Sequence, residues 1–423
     1  MIDKATIEHS SIGDSNRYRL WRRLILGHFE QIQEGRLSVY EGNNLILDAG
    51  HAEESEAVAI YIRSHRAYRA MGLGGALGAS EAYMDGDWSC DDLLDVLQLF
   101  LKNRDVIASM DSGLAKVQIP LRRFHHWLNR DTVIQSKRNI AAHYDLGNAF
   151  FEQFLDQTMT YSSGYFQDPE QTMREGSEQK LDLICKKMKL KPTDHILEIG
   201  TGWGGFALHA ARHYGCKVTT TTISQAQFEW TKKKVREANL EDRIHLLQLD
   251  YRSLEGRFDK IVSIEMIEAV GLKFLPLFFE TCARLLQPGG SMLLQAITIA
   301  EQRFEAAKRS VDFIQRYIFP GGALASVNEL VAQSASEQAG FRVYQLEDIT
   351  AHYAVTMAKW RETFEANLDA VRELGLSETF IRMWRYYLCY CEAGFRQRAI
   401  GCIHLQLHLP EFKLELPYYD ESC

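Results

Sequence analysis

No run of about 18 apolar residues occurs anywhere in this chain of 423, so no segment reads as a membrane-crossing helix. The nearest approach, 261–279, is broken by Glu265, Glu268 and Lys273. The opening residues Met-Ile-Asp-Lys-Ala-Thr-Ile-Glu-His lack the basic and apolar regions of a secretion signal, and a cytoplasmic location is expected. The eight cysteines are scattered, with no Cys-x-x-Cys and no Cys/His ligand spacing. Neither a disulfide framework nor a metal site is therefore expected. His404 and His408 lie in the alternating stretch Ile-His-Leu-Gln-Leu-His-Leu, read as a strand with surface or lightly buried histidines rather than as a metal pair. Basic excess is missing too: a net charge of −8 excludes a general nucleic-acid binder. What remains is an ordinary globular composition, 46% hydrophobic and 25% charged, in a chain long enough for two domains.

One further absence carries information. Residues 194–205, Asp-His-Ile-Leu-Glu-Ile-Gly-Thr-Gly-Trp-Gly-Gly, run an apolar strand into Gly200, Gly202, Gly204 and Gly205, and a helix-competent run follows. Glycines there allow a tight turn and close approach of backbone to a ligand at a helix N-terminus. A nicotinamide site of this kind would place a carboxylate at the end of the second strand, to hold ribose hydroxyls. The second strand, 216–223, ends instead in hydroxyls, with Thr222, Ser224 and Gln227 in place of an acid. The acid lies within the first strand, as Glu198, where it can accept from an ammonium group or from the loop backbone. This pattern resembles the S-adenosylmethionine-dependent methyltransferases rather than a dehydrogenase.

Along the chain, residues 1–115 mix short helical and strand-like segments, and the composition shifts over 116–139. There Lys116, Arg122, Arg123, Arg130, Lys137 and Arg138 face a single acid, Asp131, with Phe124, His125, His126 and Trp127 among them. From about 140 to 192 the pattern is helical, with Leu181, Ile184, Cys185 and Met188 forming a buried stripe. Strand-like segments then follow at 194–200, 216–223, 243–250, 258–264 and 290–297, with helices at 225–239 and 275–286. Such alternation predicts a parallel sheet covered on both faces. The stretch 301–400 reads as mostly helical, with 341–346 and 403–409 as final strands.

Several motifs stand in order: His143-Tyr144-Asp145-Leu146-Gly147-Asn148, Met159-Thr160-Tyr161-Ser162-Ser163-Gly164-Tyr165-Phe166, Thr222-Ile223-Ser224-Gln225-Ala226-Gln227, Asp250-Tyr251-Arg252, Ser263 through Gly271, and Tyr317-Ile318-Phe319-Pro320-Gly321-Gly322. Through them the chain resembles the cyclopropane-fatty-acyl-phospholipid synthase family, over at least 140–400. The Gly/Ala-rich segment 74–88 extends the likeness to the N-terminal domain of the bacterial phospholipid enzymes. The resemblance implies an α/β fold: a Rossmann-like S-adenosylmethionine methyltransferase sheet in 140–423, a smaller N-terminal α+β, lipid-engaging domain in 1–115, and a basic aromatic linker between them. It also implies transfer of a methylene unit from S-adenosylmethionine to the cis double bond of an acyl chain in a membrane phospholipid. The enzyme would then be peripheral to the inner face of the membrane, with a homodimer among the arrangements its relatives adopt.

By motif position, Tyr161, Ser162, Gly200 and Gly202 would meet the methionine end of the cofactor, with Glu198 close by. Thr222 and Gln227 would take the ribose side, and Tyr251 and Arg252 would flank the adenine. Members of the family hold a bicarbonate ion near the reacting carbons; the matching ligand positions here are Ser163, Glu268, Gln295, Ile297 through its backbone, and Tyr353. Ser163 and Gln295 stand where the family has Cys and His, and Ala269 where many members have His. An acyl-chain methyltransferase giving methyl-branched or methylene products without ring closure therefore stays open, as does a lipid-binding protein without catalysis. A carbocation on the substrate would need a dry, aromatic pocket. Candidates to line it are Phe150, Phe151, Tyr161, Tyr165, Phe166, Phe274, Phe278, Phe279, Tyr317, Phe319 and Tyr353. The basic linker would suit an anionic phospholipid surface.

Overall fold

The computed structural model describes residues 16–51, 57–112 and 147–413. The chain divides into two units, one of residues up to 122 with 377–393, the other of 123–376 with 394 onward. The segment 377–393 belongs to the first unit, a return of the chain that no composition shift announces. The basic stretch 116–139 and the residues His143-Tyr144-Asp145-Leu146 lie outside the described residues.

In the first unit, strands β1 (Gly35–Glu41), β2 (Asn44–His51), β3 (Ala57–Ile62) and β4 (Trp88–Cys90) form a sheet in the order β2-β1-β3-β4. β1 pairs antiparallel with β2 and parallel with β3, and β3 pairs antiparallel with β4. The Gly/Ala-rich segment forms the helix Arg66–Met84, kinked at Gly75, where φ is 58° and ψ is −140°. Trp88 Nε1 donates to the Ala79 carbonyl at 2.8 Å. Arg382 donates to the carbonyls of Tyr83 and Trp88 at 2.6 and 3.0 Å and lies 4.1 Å above the Tyr83 ring, which ties 377–393 into this unit.

The second unit is built on β5 (His195–Ile199), β6 (Lys217–Thr221), β7 (Ile244–Leu247), β8 (Phe258–Ile264), β9 (Leu286–Ile299), β10 (Arg342–Asp348) and β11 (Ile400–His408). Their order is β10-β11-β9-β8-β5-β6-β7. Strands β5 to β9 are parallel, as the alternation of strand and helix over 194–297 predicts, and β11 runs antiparallel to both neighbours, so the whole sheet is mixed. Successive side chains on a strand point to opposite faces. Accordingly Leu197, Ile261 and Leu294 pack with Phe278, Phe279 and Leu330 on one side, and Ile196, Val262 and Leu293 with Ile184, Phe206 and Ala207 on the other. Burial on both faces explains why these strands read as continuous apolar runs.

The helical reading of 140–192 holds for Asn148–Phe151 and Met173–Lys187, whereas 152–172 is largely turns and irregular chain. Thr172 and Glu175 form a capping box that starts the second of these helices after that stretch. The histidines of β11 are buried, His404 at 1% and His408 at 7% exposure, deeper than the surface or lightly buried placement the alternation suggested. The reason is topological: β11 is an inner strand, flanked by β9 and β10. Among the described residues no helix is long and apolar enough to cross a membrane.

Candidate active site

The strand order reverses about β5, with β6 on one side and β8 on the other. Open α/β sheets bind ligands at the carboxyl ends of strands beside such a switch point. From β5 the chain enters the glycine loop, where Gly200, Gly202 and Gly204 have φ of 100°, 53° and 89°. A Cβ on Gly204 would come within 2.7 Å of Thr231 Cγ2, while one on Gly202 would meet nothing within 4 Å. Gly204 thus serves close packing, and Gly202 leaves the loop open to a ligand. The helix Gly205–Tyr214 begins directly behind it, presenting its N-terminus to the loop.

Neighbouring strand ends supply further polar groups. Glu198 is buried, which pushes its carboxyl up to about 8, and it accepts from Thr220 Oγ1 at 2.5 Å. Thr220 Oγ1 lies 2.7 Å from Thr201 Oγ1, tying the glycine loop to β6. Beyond β6, Thr222 Oγ1 donates to Gln227 Oε1 at 2.8 Å and so orients its amide. After β7, Asp250 accepts from Arg252 N, Nε and Nη2 at 3.0, 2.8 and 2.6 Å, which fixes the turn carrying Tyr251. The Arg252 guanidinium sits 5.5 Å from the Tyr251 ring centre. Hydroxyl and amide groups at the end of β6, beside an open glycine loop, fit the extended cofactor S-adenosylmethionine.

On the β8 side lies a cluster of buried charge. β8 ends at Ile264, and Glu265 follows with φ of 50°, a left-handed conformation costly for a side chain other than glycine. Its Oε1 accepts from Ser163 N at 3.0 Å and from Gln295 Nε2 at 2.6 Å, and its Oε2 accepts from Tyr353 Oη at 2.5 Å. The next residue, Met266, lies against Gly200: a Cβ there would be 3.1 Å from the Met266 side chain. The carboxylate is therefore held one strand away from the glycine loop. Glu268 Oε1 accepts from Ile297 N at 2.6 Å, while its Oε2 is sealed from solvent with no partner among the described residues. Burial, with the Glu265 charge added to it, pushes the Glu268 carboxyl up to about 8, which favours its protonated form. Burial raises Glu265 as well, but its three donors and the nearby Lys180 ammonium favour the ionised form.

Lys180 and His404 complete this cluster, and sequence reasoning assigned neither a role. Lys180 is fully buried and donates to Ser162 Oγ at 2.8 Å; burial lowers its pKa to about 8. It precedes Ile184 by one helical turn, so the apolar stripe already placed it on the inward face. His404 stands opposite Gln295 in the register of β11 and β9. Lys187 Nζ is 2.7 Å from His404 Nδ1, and His404 Nε2 is 2.9 Å from Gln295 Oε1. An ammonium can only donate, so Nδ1 accepts and Nε2–H donates. That chain aims the Gln295 amide N–H at Glu265. The Ser163 hydroxyl donates to the Gly164 carbonyl, so Ser163 reaches Glu265 through its backbone.

The aromatic candidates divide. Tyr161 has ring centres of Phe151, Trp360, Phe319 and Trp203 at 5.4, 5.3, 6.4 and 6.5 Å, and Phe150 packs 5.6 Å from Phe151. Tyr353 lies 6.3 Å from Trp360 and stacks at 4.2 Å on Phe395. These form one wall beside the buried carboxylates. Phe278 and Phe279 instead sit in the core beneath the sheet. Phe274 lies near Arg252, Tyr165 stacks on His352, Phe166 covers Gly164 and Gly176, and Tyr317 pairs with Phe313.

The family described as mycolic acid cyclopropane synthetase matches residues 131–405. The tuberculostearic acid methyltransferase UfaA1 of Mycobacterium tuberculosis is 36% identical over 353 residues, 82% of this chain and 82% of that one. The cyclopropane-fatty-acyl-phospholipid synthase of Escherichia coli K12 is 33% identical over 414 residues, 94% and 95% of the two chains. Among solved structures, the mycolic acid cyclopropane synthase CmaA1 complexed with SAH and CTAB aligns with a TM-score of 0.60 and 30% identity, over 64% of this chain and 98% of that one. With its glycine loop, its mixed seven-stranded sheet and these relatives, the chain belongs to the mycolic acid cyclopropane synthetase family and is an S-adenosylmethionine-dependent methyltransferase.

Proposed function

We propose that the enzyme adds a one-carbon unit to the cis double bond of an unsaturated acyl chain in a membrane phospholipid and closes it to a cyclopropane. The observation that carries this reading is the pair Glu265 and Glu268 at the end of β8, between the glycine loop and the aromatic wall. S-adenosylmethionine supplies an electrophilic methyl group when bound. Gly200, Gly202, Tyr161 and Ser162 would hold its amino-acid end, with Glu198 supporting the loop. Thr222, Gln227, Tyr251 and Arg252 would hold the nucleoside. An alkene is a weak nucleophile, so the protein's first task is to align the double bond with the methyl carbon. Tyr161, Phe319, Trp360 and Tyr353 offer ring faces to the positive charge that develops on the acyl chain, and they keep water from it. The desolvated Glu265 carboxylate favours that charge further and offers an acceptor for the departing proton.

A second reading keeps the methyl transfer but ends in a methyl-branched or methylene chain. Gln295 and Ser163 in place of His and Cys favour it, as does the likeness to UfaA1, a tuberculostearic acid methyltransferase. The protein, S-adenosylmethionine and dioleoylphosphatidylglycerol vesicles would be incubated together and the fatty acids analysed by gas chromatography and mass spectrometry. A product one CH2 heavier that resists hydrogenation supports ring closure. A heavier product that takes up hydrogen supports the second reading, and failure to form either refutes both.

The first unit is proposed to engage the membrane surface from the cytoplasmic side. Its helix Asn16–Phe29 carries four arginines and no acid, and exposes Leu20 and Leu24 at 69% and 39% beside Arg19 and Arg23. Apolar and basic groups on one exposed face suit an anionic lipid interface. Leu20→Asp with Leu24→Asp is expected to abolish co-sedimentation with anionic vesicles; unchanged sedimentation would remove this helix from the reading.

A further inference from the structure

Of the groups that the family resemblance assigns to a bicarbonate ion, all but Glu268 are already engaged as donors by carboxylates of this chain. Ser163 N, Gln295 Nε2 and Tyr353 Oη all donate to Glu265, and Ile297 N donates to Glu268. An added anion would find these N–H and O–H groups taken and would face the Glu265 charge without solvent screening. Bicarbonate therefore does not fit this site as built. A carboxylate, however, has the planar O–C–O geometry and single negative charge that those donors would bind in bicarbonate. The backbone points the same way: Glu265 holds a φ of 50° at the end of β8, strain that its three hydrogen bonds maintain.

We propose that Glu265 is the general base of the reaction, a carboxylate built into the chain where relatives recruit bicarbonate. This rests on the acyl-chain reading given above. The π pair of the alkene bonds to the methyl carbon as the carbon–sulfur bond breaks, its electrons staying on sulfur. The neighbouring alkene carbon is left positive. One C–H bond of the new methyl then breaks; its electrons close the second carbon–carbon bond, and the proton passes to a Glu265 oxygen. The sum is alkene plus sulfonium giving cyclopropane, thioether and one proton, with no added base. Lys180 and Tyr353 act on Glu265 as positioning residues, and Gln295 does so with His404 and Lys187 behind it.

The test compares the wild type with Glu265→Gly and Glu265→Gln in buffer stripped of carbon dioxide and in buffer with added bicarbonate. Product formation on dioleoylphosphatidylglycerol vesicles is one readout, and binding of 13C-bicarbonate followed by NMR is the other. Glycine suits the left-handed backbone at 265, so the first variant should fold and open a cradle of free donors. The wild type is expected to work equally well in both buffers and to bind no bicarbonate. Glu265→Gly should lose about 10²–10⁴-fold in rate without bicarbonate, bind the ion, and recover on its addition. Glu265→Gln should stay inactive in both, because the amide fills the cradle without basicity. Wild-type activity that needs bicarbonate, or either variant active without it, would overturn the proposal. If the wild type modifies no lipid at all, the functional reading fails, and the NMR titration still decides which group fills the cradle.

Discussion

At the proposed nucleoside end of the site the hydrogen bonds join near neighbours, while at the proposed base end they join distant parts of the chain. Thr222 and Gln227 are five residues apart and Asp250 and Arg252 two. Glu265 instead draws its donors from residues 102, 88 and 30 positions away. The first arrangement forms as each strand ends and its turn closes. The second exists only when the sheet, the 159–166 segment and the helix Thr350–Ala366 are all in place. Burial differs in the same sense, since the base end desolvates Glu265 and Glu268 while the nucleoside end pairs Asp250 with Arg252 locally. On the proposed reading, nucleoside recognition is a local property of loops, and the chemistry a property of the whole second unit.

Changes at the base end should separate cleanly from changes at the cofactor end. The largest effect is expected from Lys180→Met, which removes the cation facing Glu265 and Glu198. Activity at pH 7 should fall about 100-fold, and the acidic limb of the pH–rate profile should move to higher pH, because the carboxylate loses the charge that favours its ionised form. A profile unchanged in position would separate Lys180 from Glu265. Next comes Tyr353→Phe, which deletes one donor to an ionised acceptor; a fall of about 10–100-fold in kcat is expected, with the KM for S-adenosylmethionine unmoved. At the cofactor end, Thr222→Ala should do the reverse, weakening S-adenosylmethionine binding about fivefold with kcat retained.

Stability should show a smaller, pH-dependent signature. Glu198 and Glu268 rise from 4.5 to about 8 on folding, so between those values the folded protein holds more protons than the unfolded chain. Stability from these groups is present in full below 4.5 and is lost as pH rises through 8. Thermal melts at pH 5, 6, 7 and 8 should therefore fall with pH, and Glu268→Gln should flatten the slope. A slope identical in that variant would mean that Glu268 is not protonated in the fold.

The same contrast governs what the sequence alone discloses. The strand-to-glycine-loop motif, the hydroxyls after the second strand and the Asp250–Arg252 turn are written in consecutive residues, and their geometry follows from them. Glu265 stands in a motif that resemblance singled out, yet that resemblance assigns a role only to Glu268, and nothing local shows which donors will converge on its neighbour. Lys180 was legible in principle, one turn before Ile184 on an apolar stripe, but a lone lysine on a helix ordinarily reads as solvated. His404 and His408 misled because alternation marks a strand's two faces without saying that both are covered. The direction of β11 was not legible for a related reason: it depends on the long helical excursion before it, not on the strand's own residues.

The most direct test of the division is calorimetric titration of S-adenosylmethionine into Glu265→Gln, set against its turnover on phospholipid vesicles. Binding within about twofold of wild type, with turnover lost, is the expected result. Loss of cofactor binding together with turnover would contradict the account, because Glu265 would then belong to the cofactor site rather than to the chemistry.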